Sequence, residues 1–317
     1  MNSQTNQVLE VISVVKEYGK IKAVDNLSFH INKGEIFALL GPNGAGKTTT
    51  VRMLMNIIKP DFGKILYSLD KSKDGFPSTE MLGYLPEERG LYQDIKILKT
   101  LIFMGIVRGM NKVAAKNEAE KWLERFELSD RKNEKLNTLS KGNQQKVQLI
   151  SAIIHKPKFL ILDEPFSGFD PINQESVMKI MTEMKNEGTT ILLSAHQMHL
   201  VEKIANRVLL IDKGKLVAYG TVEEIKKEFS LDEKIFIQFD RTPVLSDFAN
   251  DESVESVNII NDNELVIYLK NKASISRLLN KASSLYNIHK VKTEDISLHE
   301  IFLKKLTDAS EEKIEKK

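Results

Sequence analysis

Three short stretches of this chain carry residue types that could act together on a phosphate ester. The first runs Gly41, Pro42, Asn43, Gly44, Ala45, Gly46, Lys47, Thr48, Thr49. Glycines at this spacing let the backbone curl so that successive N–H groups converge on phosphate oxygens, and a following helix adds its positive N-terminal end. Lys47 is placed to reach β- and γ-phosphates, and the Thr48 hydroxyl is the expected Mg²⁺ ligand. The second stretch is an apolar run, Phe159–Leu162, that ends in two carboxylates, Asp163 and Glu164. The third is a Leu-Ser-x-Gly turn, Leu139, Ser140, Lys141, Gly142, Asn143, Gln144, Gln145, which opens a helix just before that acidic strand. A phosphate loop alone indicates a bound nucleotide; the other two stretches narrow what the nucleotide is for.

The elements needed to position these groups are legible around them. Ile36–Leu40 reads as a strand feeding the phosphate loop and Thr48–Ile58 as the helix leaving it, the strand–loop–helix context a phosphate loop requires. Residues 8–15 and 27–31 read as half-buried strands. Lysine-rich, helix-favouring sequence fills roughly 95–135 and holds the only tryptophan, Trp122. A second strand–helix unit pairs Phe159–Leu162 with Glu175–Asn186, whose Val177, Ile180, Met181 and Met184 share one face. A third strand, Thr190–Leu193, leads to Ser194, Ala195 and His196; Val208–Ile211 and Lys215–Ala218 flank a turn at Asp212, Lys213 and Gly214 and predict a hairpin. Strands alternating with helices give an α/β layer fold with a mainly parallel central sheet. Thr221, Val222, Glu223, Glu224 predicts a capping box on a short helix ending near Phe229. Beyond it the texture changes: 234–239, 254–260, 264–269 and 288–292 are strand-like, while 274–285 and 296–306 are helical. This predicts a first domain over 8–230, a small α+β accessory domain over 233–308 and a frayed, mixed-charge tail over 309–317.

Composition narrows the class. The chain has 317 residues, a formal net charge of +2 and no cysteine. That charge gives no strong electrostatic preference for nucleic acid, and the missing thiols exclude disulfides, thiol catalysis and cysteine-ligated zinc. The polar stretch from Met1 to Gln7 lacks the apolar core of a signal peptide, and no apolar run is long enough to span a bilayer. A membrane role is therefore expected to come through a partner chain. His199 follows His196 at a spacing that suggests a metal pair, but no third matched ligand accompanies them, and His199 reads as structural or exposed.

With these motifs in this order, the chain resembles the ATP-binding cassette (ABC) ATPases, the motor subunits of ABC transporters, over residues 8–230. The resemblance implies a P-loop NTPase fold of ABC ATPase type, with an antiparallel β subdomain and a helical subdomain at about 88–158, followed here by the α+β domain. It implies that Asp163 holds Mg²⁺ and that Glu164 acts as general base on the attacking water. It implies that His196 is the switch histidine at the γ-phosphate and that Tyr18 stacks on adenine. The turn at Ser140, Gly142 and Asn143 resembles the family signature, which acts on the nucleotide of the opposite subunit. Asp170, in Ser167, Gly168, Phe169, Asp170, matches the loop that crosses between the two sites. A dimer closing on two ATP molecules is implied, homo- or heterodimeric, with a separate polytopic permease and no nucleic acid. Three positions depart from the pattern. Lys141 stands where glycine is usual, Asn143 stands where glutamine is commoner, and Glu87, in Gly83–Tyr92, stands where a glutamine contacts Mg²⁺ and reports to the permease. Glu87 is expected to keep that role, with hydrolysis slower or more metal-dependent.

Other phosphate-loop families fit less well. The guanine-reading Asn/Thr-Lys-x-Asp motif is absent, and the interval from Thr48 to Asp163 is too short for the coiled coils of chromosome-maintenance ABC ATPases. The remaining alternatives are a soluble ABC ATPase that remodels a protein or nucleic-acid partner, and a cassette that binds ATP without turning it over. Segments Leu85–Tyr92, Leu139–Gln145 and Ser297–Leu303 resemble bacterial exporter subunits of the sodium-efflux type, which carry a similar C-terminal extension. An exporter subunit lying on the cytoplasmic face of the cell membrane is the expectation.

Overall fold

A computed structural model describes residues 6–69, 76–88, 90–228, 233–270, 275–294 and 296–315. The chain divides at Tyr219/Gly220 into two units. In chain order the first contains β1 (Gln7–Tyr18), β2 (Ile21–Asn32), β3 (Ile36–Leu40), α1 (Lys47–Leu54), β4 (Phe62–Tyr67), β5 (Leu82–Leu85), α2 (Ile97–Val107), α3 (Lys112–Arg125), α4 (Lys141–Ile153), β6 (Phe159–Asp163), α5 (Pro171–Asn186), β7 (Thr190–Ala195), α6 (Met198–Val201), β8 (Arg207–Asp212) and β9 (Lys215–Thr221).

The arrangement of these strands matters most for function. A six-stranded sheet has the order β5-β6-β7-β3-β8-β9, and its first five strands run parallel. β3, β6 and β7 are buried at every residue, which is why they read as continuous apolar runs instead of alternating ones. Parallel strands share one carboxyl edge, so the chain leaves the sheet on that edge at Leu85, Asp163, Ala195 and Leu40. A second sheet, β2-β1-β4, is antiparallel and begins with a hairpin in which Tyr18 pairs with Ile21 across Gly19 and Lys20. Its inward residues Leu9, Val11, Val14, Leu27 and Phe29 join Phe37, Val51, Leu54 and Phe159 in one core.

Local chemistry corrects several sequence-based boundaries. α1 stops at Leu54 and not at Ile58, because Asn56 adopts a left-handed conformation (φ 54°) that a helix cannot continue. α5 starts at Pro171 and not at Glu175; Asp170 caps it and Pro171, lacking an N–H, fits the first helical position. The segment 95–135 is two helices broken at Gly109 (φ 90°), followed by a short 3₁₀ turn. Lys213 and Gly214 both have positive φ, the primed turn that joins β8 to β9 as expected.

The second unit comprises α7 (Val222–Glu228), β10 (Glu233–Phe239), α8 (Ser246–Ala249), β11 (Val254–Asn261), β12 (Glu264–Leu269), α9 (Ile275–Leu285), β13 (Ile288–Glu294) and α10 (Leu298–Glu315). Its antiparallel sheet has the order β11-β12-β10-β13, and the face bearing Ile235, Ile237, Phe239, Leu265 and Ile267 packs with Leu278 and Ala282 of α9. The capping box forms as read: Thr221 N donates to Glu224 Oε2 at 2.8 Å, and Glu224 N donates to Thr221 Oγ1 at 3.0 Å. The expected helix end at Phe229 and the boundary at 230 lie outside the described residues. α10 runs on to Glu315 where a frayed tail was expected from 309 onward, consistent with the strong helix propensity of its Glu, Lys and Ala residues. Among the described residues no helix is long and apolar enough to cross a membrane.

Candidate nucleotide site

The phosphate loop leaves the tip of β3 and is braced from two sides. A Cβ on Gly41 would lie 2.3 Å from the Ile211 carbonyl oxygen of β8, so only glycine lets the loop pass. Gly46 caps α1 with φ 104° and leaves room for the Ala23 carbonyl, which a Cβ would meet at 2.3 Å. Gly214 N donates to Ala45 O at 2.9 Å, tying the loop to the β8–β9 turn. Lys47 is buried, and its ammonium donates to Gly41 O at 2.9 Å and Pro42 O at 3.1 Å. The lysine therefore curls back over a loop whose Pro42, Asn43 and Gly44 are exposed, while Thr48 and Thr49 sit in the first turn of α1.

The adjacent tips of β6 and β7 bring the acidic pair to that lysine. Glu164 Oε1 lies 3.5 Å from Lys47 Nζ, and Glu164 Oε2 lies 2.8 Å from His196 Nδ1. Glu164 holds φ 51°, a strained conformation for a non-glycine residue, and its N–H donates to Ser194 O at 3.0 Å. The strain turns its side chain out of the strand toward lysine and histidine. His199, on α6, is exposed.

Asp163 is almost fully buried. Its Oδ1 accepts from the Ser194 hydroxyl, while Oδ2 is buried without a hydrogen-bond partner among the described residues. Burial raises its pKa; the Ser194 hydroxyl opposes this, Glu87 and Glu164 add to it, and Thr48 opposes it. The same carboxylate field acts on Tyr84 of β5, pushed up to about 12 by burial first and then by Asp163. Thr48 Oγ1 donates to Glu87 Oε2 at 3.3 Å, which brings the departing glutamate to the phosphate loop. A buried carboxylate oxygen lacking a donor, a hydroxyl and a second carboxylate form a hard-oxygen set that fits Mg²⁺. Among the described residues no three His, Cys, Asp or Glu side chains form a metal cluster. Few protein ligands are what Mg²⁺ accepts when phosphates and water fill its remaining positions.

Tyr18 is half exposed at the β1–β2 hairpin tip, with Lys16 Nζ 5.7 Å from its ring centre. Its cross-strand partner Ile21 is two residues from Ala23, whose carbonyl faces Gly46. The signature residues are elsewhere. Ser140 caps α4 by accepting from Asn143 N at 3.3 Å, and Gly142 approaches the Gly168 carbonyl so closely that a Cβ would meet it at 3.3 Å. Asp170 accepts from Asn173 N at 2.9 Å and Nδ2 at 2.8 Å, and the Asn173 hydrogen bonds hold its pKa below the usual carboxylate range. Among the described residues no hydrogen bond links Ser140, Gly142, Asn143 or Asp170 to the phosphate loop of the same chain.

Two residues of this site escaped the sequence reading. Ser194 appeared only as a flank of His196; its position opposite Asp163 in adjacent parallel strands could have singled it out. Gln148, a buried glutamine between Val147 and Leu149, carried the signal of a polar residue on an apolar helix face.

A family model described as ABC transporter matches residues 24–167, and one described as ATP-binding protein DrrA1-3-like, C-terminal domain, matches residues 220–306. The chain is 38% identical over 309 residues to the ABC transporter ATP-binding protein YhaQ of Bacillus subtilis, covering 94% of this chain and 98% of the relative. It is 34% identical over 221 residues to the linearmycin resistance ATP-binding protein LnrL of the same organism, covering 69% of this chain and 70% of the relative. A solved structure of the ATP-binding subunit of an ABC transporter superposes with a TM-score of 0.65 at 30% identity, covering 70% of this chain and 93% of the other.

Proposed function

Because the chain belongs to the ABC transporter ATP-binding proteins, a family of ATPases that power transport, we propose that it is the motor subunit of an exporter and works as a head-to-tail dimer. One observation carries the catalytic part: Glu164 is held between Lys47 at 3.5 Å and His196 at 2.8 Å, at the edge where the phosphate loop begins. A carboxylate fixed in this way can accept a proton from water attacking the γ-phosphate in line. Lys47 exchanges its two loop carbonyls for phosphate oxygens and offsets charge developing on the transferred group. His196 orients Glu164 from the rim, and Tyr18 supplies an apolar face for the base. Mg²⁺, for which Thr48 and Asp163 with Glu87 beside them are the candidate residues, would supply charge neutralisation on the β- and γ-phosphate oxygens.

What the chain keeps apart supports the dimer reading. Ser140 and Gly142 offer a helix N-terminus with an exposed serine, away from the chain's own phosphate loop, and such an end suits an anion brought by a second subunit. The export reading is supported by the resistance role in the name of LnrL and by the DrrA1-3-like C-terminal match. A permease would dock on α2, where Phe103, Ile106 and Val107 are exposed, beside the Glu87 segment. The subunit would then sit on the inner face of the membrane through that partner.

The test is the size of Glu164→Gln protein by light scattering, with and without Mg-ATP. A shift from monomer to dimer on adding Mg-ATP supports the sandwich and the base. A monomer in both conditions, with ATP binding measured separately, would refute self-closure and point to a heterodimer or a permease-dependent assembly.

A further inference from the structure

Helix α4 does more than present the signature turn. Eight residues after Ser140 it carries Gln148, a glutamine only 4% exposed. Its side-chain amide donates to Pro86 O at 3.2 Å and Glu88 O at 3.0 Å, the two carbonyls that flank Glu87. A primary amide has two N–H donors, and both are spent on the backbone either side of one residue. Two-point attachment fixes the peptide planes around Glu87 and hence the direction in which its side chain leaves the loop. That side chain ends 3.3 Å from the Thr48 hydroxyl.

The other end of the same segment is also held by helices. Leu82 O accepts from Arg108, just past α2, at 2.9 Å and meets Nε2 of His155 at 3.2 Å. His155 stands two residues past the end of α4, the helix that carries Gln148. Strand β5 with the Glu87 loop is thus gripped at both ends by residues of the helical layer. The phosphate loop is braced differently, through Ala23 of β2 and through Ile211 and Gly214 around the β8–β9 turn. The distance between Glu87 and Thr48 therefore reports the position of α4 against the phosphate loop.

We propose that Gln148 is a positioning residue that ties Glu87 to helix α4, so that a displacement of α4 at its signature end moves the Glu87 carboxylate relative to Thr48. The inference rests on the metal-linked role proposed above for Glu87. No covalent step is involved. A signature turn engaged by a second subunit would adjust the metal side of the chain's own site through one amide.

The test uses the full chain carrying Gln148→Met, which keeps length and approximate volume but has no donor. Half-saturating Mg²⁺ for ATP hydrolysis should rise about tenfold, as for loss of an outer residue that orients a metal ligand. The KM for ATP at saturating Mg²⁺ should stay within about twofold, since Lys47 and the phosphate loop are untouched. In a Glu87→Ala background the same substitution should add nothing further. Amide exchange should quicken in the loop between Leu85 and Leu91 while β6 and β7 stay protected. Unchanged exchange there would overturn the clamp, as would a Gln148→Met effect equally large with and without Glu87. If Glu87→Ala alone left the Mg²⁺ dependence unmoved, the metal-linked reading of Glu87 would fail and with it the route by which Gln148 acts; the exchange measurement separates that outcome from failure of the clamp.

Discussion

Replacing Ser194 by alanine removes one hydroxyl from the buried seam between β6 and β7 and tests the assignment of Asp163. The Ser194 hydroxyl donates to Asp163 Oδ1, and Oδ2 already lacks a partner, so Ser194→Ala strips the buried carboxylate of its strongest neutral donor. Glu164 N keeps its bond to Ser194 O at 3.0 Å but loses a weaker one to Ser194 Oγ at 3.3 Å, so an Asp163→Asn background separates the two effects. A hydrogen bond to a charged group is worth about 1.5–3 kcal/mol, against about 0.5–1.5 kcal/mol for a neutral pair. At about 2–4 °C per kcal/mol for a unit of this size, the ionised case corresponds to a fall in Tm of roughly 3–12 °C. The pH dependence carries the sign. Burial raises the folded pKa of Asp163 above its unfolded value, so the unfolded state binds fewer protons between the two values and stability falls as pH rises through that window. Removing the Ser194 donor raises the folded pKa further, so the loss should be largest above it and about half as large at the acid end of the stable range. Calorimetric unfolding of Mg²⁺-free protein at pH 8 and at the acid end measures both. An equal loss at the two pH values, or a pH-dependent loss that persists in an Asp163→Asn background, would refute the argument.

Two further outcomes follow from the geometry. Lys47→Ala removes a buried ammonium with charge-assisted bonding capacity of about 1.5–3 kcal/mol, so ATP affinity should fall about 10- to 100-fold in equilibrium binding while the fold is retained. His155 is pushed down to about 4, by burial first and then by Arg108, so the unfolded state takes up a proton that the folded state refuses between about pH 6.5 and 4. Wild-type stability should therefore decline across that window by up to about 3 kcal/mol, and His155→Gln should flatten the decline in chemical denaturation at stepped pH.

The parts of the site that lie contiguous in sequence were legible from it. Gly41–Thr48 is a local device: its glycines, lysine and threonine act through one loop and one helix end, so spacing alone reveals it. The strand ending at Asp163 and Glu164 was legible because burial on both faces forces a continuous apolar run. Boundaries were less secure where one residue decides the backbone, as at Asn56, which ends α1, and at Asp170 with Pro171, which start α5 four residues early. Ser194 and Gln148 were missed because each gains its meaning from a partner more than 30 residues away in sequence.

The sequence by itself determined the chemistry available to this protein: a loop for phosphate, two carboxylates, a rim histidine, a signature turn and three departures, Lys141, Asn143 and Glu87. It determined these because each is a short pattern whose residue types have few other uses together. Only the tertiary structure decided which of them meet. Parallel strands in the order β5-β6-β7-β3 put Glu87, Glu164, His196 and Lys47 on one edge, and the strained φ of Glu164 aims its carboxylate between lysine and histidine. The same packing leaves Ser140 on a separate helix end and ties that helix, through Gln148, to the Pro86 and Glu88 carbonyls on either side of Glu87. Strand order and helix packing depend on how the whole chain buries its apolar faces, which no local spacing records.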